Sequence, residues 1–257
     1  MSAVAEPFDR DARRHNRDRA AVDFSRFAFL KDAMADELLA RLAAGTERLS
    51  TALDLGCHDG RLGRALPCSN IWFADSSPQF ARITSGTCCD EDRLPFAPAS
   101  FDLVVSAGSL QSVNDLPGAL AQIRRCLKSG GLFLAAFPGG ESLKEIRAAF
   151  LEAEAALTGR VAARVAPMVD AASAGALLQR AEFTSPVADI DTLTIRYADL
   201  FAAIADLRGM GESNVLKLRV PLRRDVLADA AARFAAAAEG GKTSVTVQIV
   251  YLAGRVG

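Results

Sequence analysis

Apolar and polar positions follow a helical period over one stretch and a strand-like pattern over the next. The two alternate through the first half of the chain. Phe27, Leu30, Met34, Leu38 and Leu42 recur at helical spacing, so an amphipathic helix is predicted there, ended by Gly45. Thr51-Ala52-Leu53-Asp54-Leu55 reads as a buried strand that runs into the Gly-rich turn Gly56-Cys57-His58-Asp59-Gly60. Arg61 to Leu66 reads as a short helix. Ile71-Trp72-Phe73-Ala74 is a second strand, with Trp72 as a core residue, and it stops at Asp75. Phe101 to Ser106 is a third. Leu116, Leu120, Ile123 and Leu127 mark a helix with Asn114 or Asp115 as N-cap and Pro117 in its first turn. Ser129-Gly130-Gly131 breaks that helix, and Leu132 to Phe137 is the next apolar strand. Buried-looking strands alternating with helices predict an α/β fold on a parallel, doubly wound sheet.

The rhythm changes in the second half. Helices are predicted over Glu141–Leu157 and Ala171–Arg180, then a half-exposed alternating strand over Asp189–Tyr197. Helices near Leu200–Leu207 and Val226–Ala238 precede a last alternating strand, Ser244–Tyr251. The last two strands read as a pair at one sheet edge. The expected organisation is an N-terminal arm and helix over 1–45, a core over 46–197 and 243–257, and a helical lid inserted over 198–242.

Composition narrows the function classes. The chain has 257 residues, 50% hydrophobic and 24% charged, a mix that buries a sizeable core. Its 31 acids and 30 bases leave a net charge of −1, so there is no global attraction for nucleic acid or an anionic membrane. No apolar run approaches the roughly 18 residues of a membrane span, and the first residues lack the apolar region of a secretory signal. Five cysteines, an odd number with no C-x-x-C pair, argue against a disulfide framework; adjacent Cys88 and Cys89 read as buried thiols in a strand. A reducing, cytoplasmic compartment is expected. Two histidines, His15 and His58, make a His-rich metal site an unpromising reading, and no metal is expected.

The candidate chemistry gathers at predicted strand ends. Gly56 closes the first strand, where the backbone turns tightly and a ligand can approach the main chain. Asp75 ends the second strand, 21 residues after Asp54, and a carboxylate there can accept two hydrogen bonds from ribose hydroxyls. There is no P-loop, and the turn at 56–60 does not fit the dinucleotide pattern. The segment Phe8 to Arg26 interleaves Arg10, Arg13, Arg14, Arg17 and Arg19 with aspartates. It is either a solvated helix laced with ion pairs or an arm that offers arginines to an anionic group. Glu212-Ser213-Asn214 either contacts a protein substrate or ends a helix.

Leu53 to Gly60 resembles motif I of class I S-adenosylmethionine-dependent methyltransferases. Asp90-Glu91-Asp92-Arg93-Leu94-Pro95-Phe96, Ser100 to Val104 and Leu127-Lys128-Ser129-Gly130-Gly131 are similar to later segments of that family. More narrowly, Phe8-Asp9-Arg10, Val113 to Pro117, Gly139 to Leu143, Leu177 to Ala181 and Leu207 to Asn214 look like the methyltransferase-like assembly factors of respiratory complex I. Those factors are related to the malonyl-carrier methyltransferase of biotin synthesis, and one is associated with arginine hydroxylation. The resemblance implies a Rossmann-like, mostly parallel seven-stranded sheet with an antiparallel edge pair, and S-adenosylmethionine as cofactor. Asp54 and Gly56 would line its methionine side, His58 and Gly60 would also belong to the cofactor-binding set, and Arg10 or Arg14 would meet its carboxylate. Asp75 would hold the ribose, Asp90 the adenine amine with Glu91 beside it, and the segment from Ser106 to Gln111 would face the methyl group. The implied acceptor is a protein, such as a complex I-like subunit, or a small acyl carrier.

Three positions depart from the family pattern. His58 stands where the loop usually has its middle glycine, and would either crowd the cofactor or bind its carboxylate. Only 14 residues separate Asp75 from Asp90, which shortens the crossover. Gln111-Ser112 replaces a common His-Trp, so no imidazole is available there. Two functions follow: a methyltransferase, or an assembly protein of non-catalytic or hydroxylase type that keeps the fold and has lost normal cofactor binding.

Overall fold

The computed structural model describes residues 6–45 and 49–257. The first five residues, which were read for a signal sequence, lie outside that range, as do residues 46–48 at the expected boundary between arm and core. Seven strands form one sheet: β1 (Thr51–Leu55), β2 (Asn70–Asp75), β3 (Thr87–Cys88), β4 (Phe101–Ala107), β5 (Leu127–Gly139), β6 (Thr184–Tyr197) and β7 (Thr243–Arg255). Their order is β3-β2-β1-β4-β5-β7-β6. The first five run parallel; β7 is antiparallel to β5 and to β6, which gives the edge pair.

Helices cover both faces. On one, α5 (Leu116–Cys126) and α7 (Ala171–Arg180) pack Leu120, Ile123 and Leu178 against Leu53, Val104 and Phe133. On the other, α2 (Phe29–Ala43) and α3 (Arg61–Ala65) pack Met34, Leu38 and Leu62 against Leu103, Val105 and Tyr251. Asp115 caps α5 by accepting from Gly118 N at 2.8 Å, with Pro117 in the first turn. Helix α6 (Lys144–Thr158) meets α8 (Leu200–Met210) and α9 (Arg224–Ala236) in a third cluster around Phe150, Ala203 and Phe234. Among the described residues no helix is long and apolar enough to cross a membrane.

Three local expectations need correction. Trp72 is 53% exposed rather than core: its ring leans edge-on against Phe96, in the irregular segment after β3. Cys88 is exposed and Cys89 only half-buried, because β3 is two residues long and ends at Cys88. Gly130 and Gly131 do not separate helix from strand; β5 starts at Leu127 and carries them past an irregularity opposite Phe101 to Leu103. The crossover between Asp75 and Asp90 is short yet holds a helix, α4 (Pro78–Thr84), capped by the Ser77 side chain and ended by left-handed Ser85.

The arm is helical as well. Helix α1 (Arg10–Ala20) is capped by Asp9 and lacks an apolar stripe; its buried residues are Arg13, Asn16, Arg17 and Ala20. Such a helix is stabilised by what its polar side chains meet, not by apolar burial.

Candidate functional site

Helix α1 lies across the carboxyl ends of β1, β2 and β4, where open α/β sheets take ligands. The backbone below is shaped for close approach. Gly56 has φ +69°, and a Cβ there would stand 2.1 Å from Ser109 Oγ. His58 keeps a left-handed φ of +51° without being glycine, a conformation that histidine tolerates better than most residues.

Asp75 is fully buried and both oxygens are engaged. Arg17 donates from Nη2 to Oδ2 at 2.6 Å and from Nε to Oδ1 at 3.2 Å. The backbone N–H groups of His58 and Ser77 add bonds of 2.9 and 2.8 Å. Arg17, itself 1% exposed, also donates to His58 Nε2 at 2.9 Å. That donation makes Nε2 an acceptor, so Nδ1 holds the proton that it gives to Gly56 O at 2.7 Å. Burial first, then the Arg17 and Lys31 cations, hold His58 well below its ordinary value, in keeping with a neutral ring. Phe24 stacks on that imidazole at 4.9 Å and Phe80 meets it edge-on at 5.2 Å.

The acids at 90–92 are taken in the same way. Arg13 grips Glu91 with two bonds of 2.7 Å and reaches Ser112 Oγ and Ser109 O. Burial alone would raise the Glu91 carboxyl; Arg13 and the Ser109 hydroxyl outweigh it and bring it down to about 2. Arg10 holds Asp92 at 2.6 and 2.8 Å and Asp90 at 3.1 Å, and Arg14 holds Asp90 at 2.7 Å. Asp54 accepts from Gly63 N at 2.8 Å through Oδ2, while its Oδ1 is buried without a partner, as is Ser106 Oγ at the end of β4. Burial pushes Asp54 up to about 6, against the pull of Lys31 and the Gly63 N–H. Gly60 caps α3 with φ +77°, and Thr84 and Phe73 leave no room for a side chain there.

Open space lies elsewhere. A cavity of about 420 Å³ runs between the sheet, α6 and α8, walled by Ile146, Phe150, Ile195, Leu207 and Val247. A small hollow of about 30 Å³ beside His58 and Lys31 shares Gln111, Pro138, Met210 and Glu212 with it. Gln111 Oε1 is buried without a partner. Among the described residues the Glu212 carboxylate forms no ion pair or hydrogen bond, and Arg13 feels it only through space. Arg164 and Arg219, which also line the cavity, are already paired with Glu154 at 2.5 Å and Asp9 at 2.6 Å. Ser213 and Asn214 act as struts: Ser213 accepts from Asn16 and Arg19, and Asn214 spans Ala163 O and Leu216 N.

A methyltransferase-domain model matches residues 53–135. Over 96% of this chain and 76% of its own length, human arginine-hydroxylase NDUFAF5, mitochondrial, is 35% identical; the zebrafish protein is 34% identical over 96% and 82%. This chain belongs to the class I S-adenosylmethionine-dependent methyltransferase superfamily. Within it, a malonyl-[acyl-carrier protein] O-methyltransferase of Methylovorus is 29% identical over 98% of this chain and 90% of that one. Among solved structures, the YcgJ protein of Bacillus subtilis superposes with a TM-score of 0.58 at 14% identity, covering 85% of this chain and 97% of that one. That likeness concerns the fold alone.

The superfamily implies a nucleoside-bearing cofactor, and the described arrangement does not fit one. Both Asp75 oxygens are saturated, Asp90 and Glu91 face guanidinium groups, and the 30 Å³ hollow has room for a water or two, not for a purine. Arg10 and Arg14, expected to meet a ligand carboxylate, meet the protein's own acids instead. Arg13, Arg17, Phe24 and Lys31 were not among the expected site residues. The arginines did carry a signal, because positions 10, 13, 14 and 17 share one helical face.

Proposed function

We propose that this chain is a protein-directed member of its family, and that a basic side chain of a partner enters the cavity under α8, with α8 and α9 as its lid. The observation that carries this is the unpaired Glu212 carboxylate where the two hollows meet, with the orphaned Gln111 Oε1 beside the same space. Apolar walls suit an aliphatic stem, and two acceptors at its inner end suit a guanidinium or ammonium. A carboxylate-ended acyl group would need a free cation, whereas Arg164 and Arg219 are spoken for. The arginine-directed activity named for the mitochondrial relatives agrees with this choice over the carrier-bound acyl group, and a complex I-like subunit is the proposed partner class. S-adenosylmethionine is the family's cofactor; in a chain whose α1 has moved, Asp54 and Gly56 would line its methionine, Asp75 its ribose, and Asp90 and Glu91 its base.

The test is peptide binding followed by fluorescence polarisation. An arginine-containing peptide should bind more tightly than its citrulline counterpart, and Glu212→Gln should weaken it about tenfold, the worth of one charge-assisted hydrogen bond. Equal affinity for arginine and citrulline peptides would end this reading.

A further inference from the structure

The helix that closes the cleft has the wrong composition for a permanent wall. Among the buried residues of α1 only Ala20 is apolar; the others are Arg13, Asn16 and Arg17. Apolar anchoring is left to its flanks, with Phe8 against Val215 and Leu216, and Phe24 against Phe80. Swinging the helix away would therefore uncover little apolar surface. It would return guanidinium and carboxylate groups to water, so hydration offsets much of the lost pairing.

The positions contacted matter as much as the composition. Arg10 and Arg14 reach Asp90, Arg13 reaches Glu91, and Arg17 reaches Asp75. These are the carboxylates that end β2 and follow β3, at the sheet edge where a nucleoside would lay its sugar and base. Two donors from Arg17 lie on Asp75 where the two hydroxyls of a ribose would donate. His58 completes the closure, since its ring is clasped between Arg17, Gly56 O and the face of Phe24.

We propose that α1 is an intramolecular occupant of the nucleoside cleft. The helix and an adenosine-bearing ligand compete for the same carboxylates, so that ligand enters only when α1 has left. The proposal goes beyond the reading of the lid cavity and does not depend on it, because it concerns the opposite end of the sheet edge.

The experiment uses the full chain, S-adenosylhomocysteine as probe and calorimetry as readout. Wild type should give no measurable heat at about 1 mM ligand, which places its dissociation constant above that range. The variant Arg13→Ala/Arg17→Ala frees Asp75 and Glu91 and should bind at least about tenfold more tightly, the opposite of what removing a pocket wall does. Hydrogen exchange on wild type at the highest soluble ligand concentration supplies a second readout that needs no variant. Amides over residues 10–20 should exchange faster with ligand than without. Micromolar binding by wild type with α1 as protected as before overturns the proposal. So does a folded double variant that binds no better than wild type; if that variant does not fold, the exchange result on wild type decides.

Discussion

The carboxyl edge of the sheet has two ends that handle polar groups in opposite ways. At the β1–β2 end, Asp75 and Glu91 are fully buried, and each is clasped by a guanidinium with further donors. At the β5–β7 end a cavity of about 420 Å³ stays open, and Glu212 and Gln111 Oε1 border it without partners. Buried polar groups that have found partners stabilise a fold and recognise nothing further, whereas acceptors left over beside open space are available to a ligand. The end that carries the cofactor motifs thus behaves as core here, and the end lined by the narrower family's segments, Ser142, Leu143 and Leu207 to Asn214 among them, has the features of a binding site.

Three substitutions sharpen that contrast. Asp75→Ala leaves Arg17 buried without its partner and should cost about 3–5 kcal/mol, read from the shift in a urea denaturation midpoint. A loss below about 1 kcal/mol would mean that the pair is solvated and the cleft is already open. The second test concerns pH. Folding raises the Asp54 carboxyl from 3.8 to about 6, so the folded chain takes up that proton first. Its contribution favours folding below about pH 4 and is lost as pH rises through 6. Relative to wild type, Asp54→Asn should therefore gain stability between pH 4 and 7, on the order of 2 kcal/mol, in denaturation curves taken across that range. A difference that does not change with pH would place Asp54 in contact with water. Glu212→Ala should have the smallest effect, within about 0.5 kcal/mol in the same assay, since no ion pair is lost. A larger loss would show that Glu212 holds the fold together rather than waiting for a ligand.

Much of the architecture could be read along the chain, because strands β1, β4 and β5 are apolar runs bounded by glycine, proline or aspartate, and α5 and α7 carry clear caps and stripes. Helix α4 and strand β3 were harder: seven and two residues are too few for a period to show. Trp72 is expected in the core and stands exposed, because strand composition says nothing about whether a helix covers that face. In the site, Asp54 and Asp75 could be picked out by their spacing and Asp90 by the family resemblance, but their partners could not. The shared helical face of Arg10, Arg13, Arg14 and Arg17 shows that the arginines point one way, but a helix without an apolar stripe does not say whether that face meets solvent or the protein's own acids.

The sequence by itself determined the order of elements, the parallel sheet and the acids at its carboxyl edge, because those depend on local periods and on strand ends. Only the tertiary structure decided what those acids bind. A carboxylate accepts a ribose hydroxyl and a guanidinium equally well, and the choice rests on which donor is brought within 3 Å by chain segments about 60 residues apart.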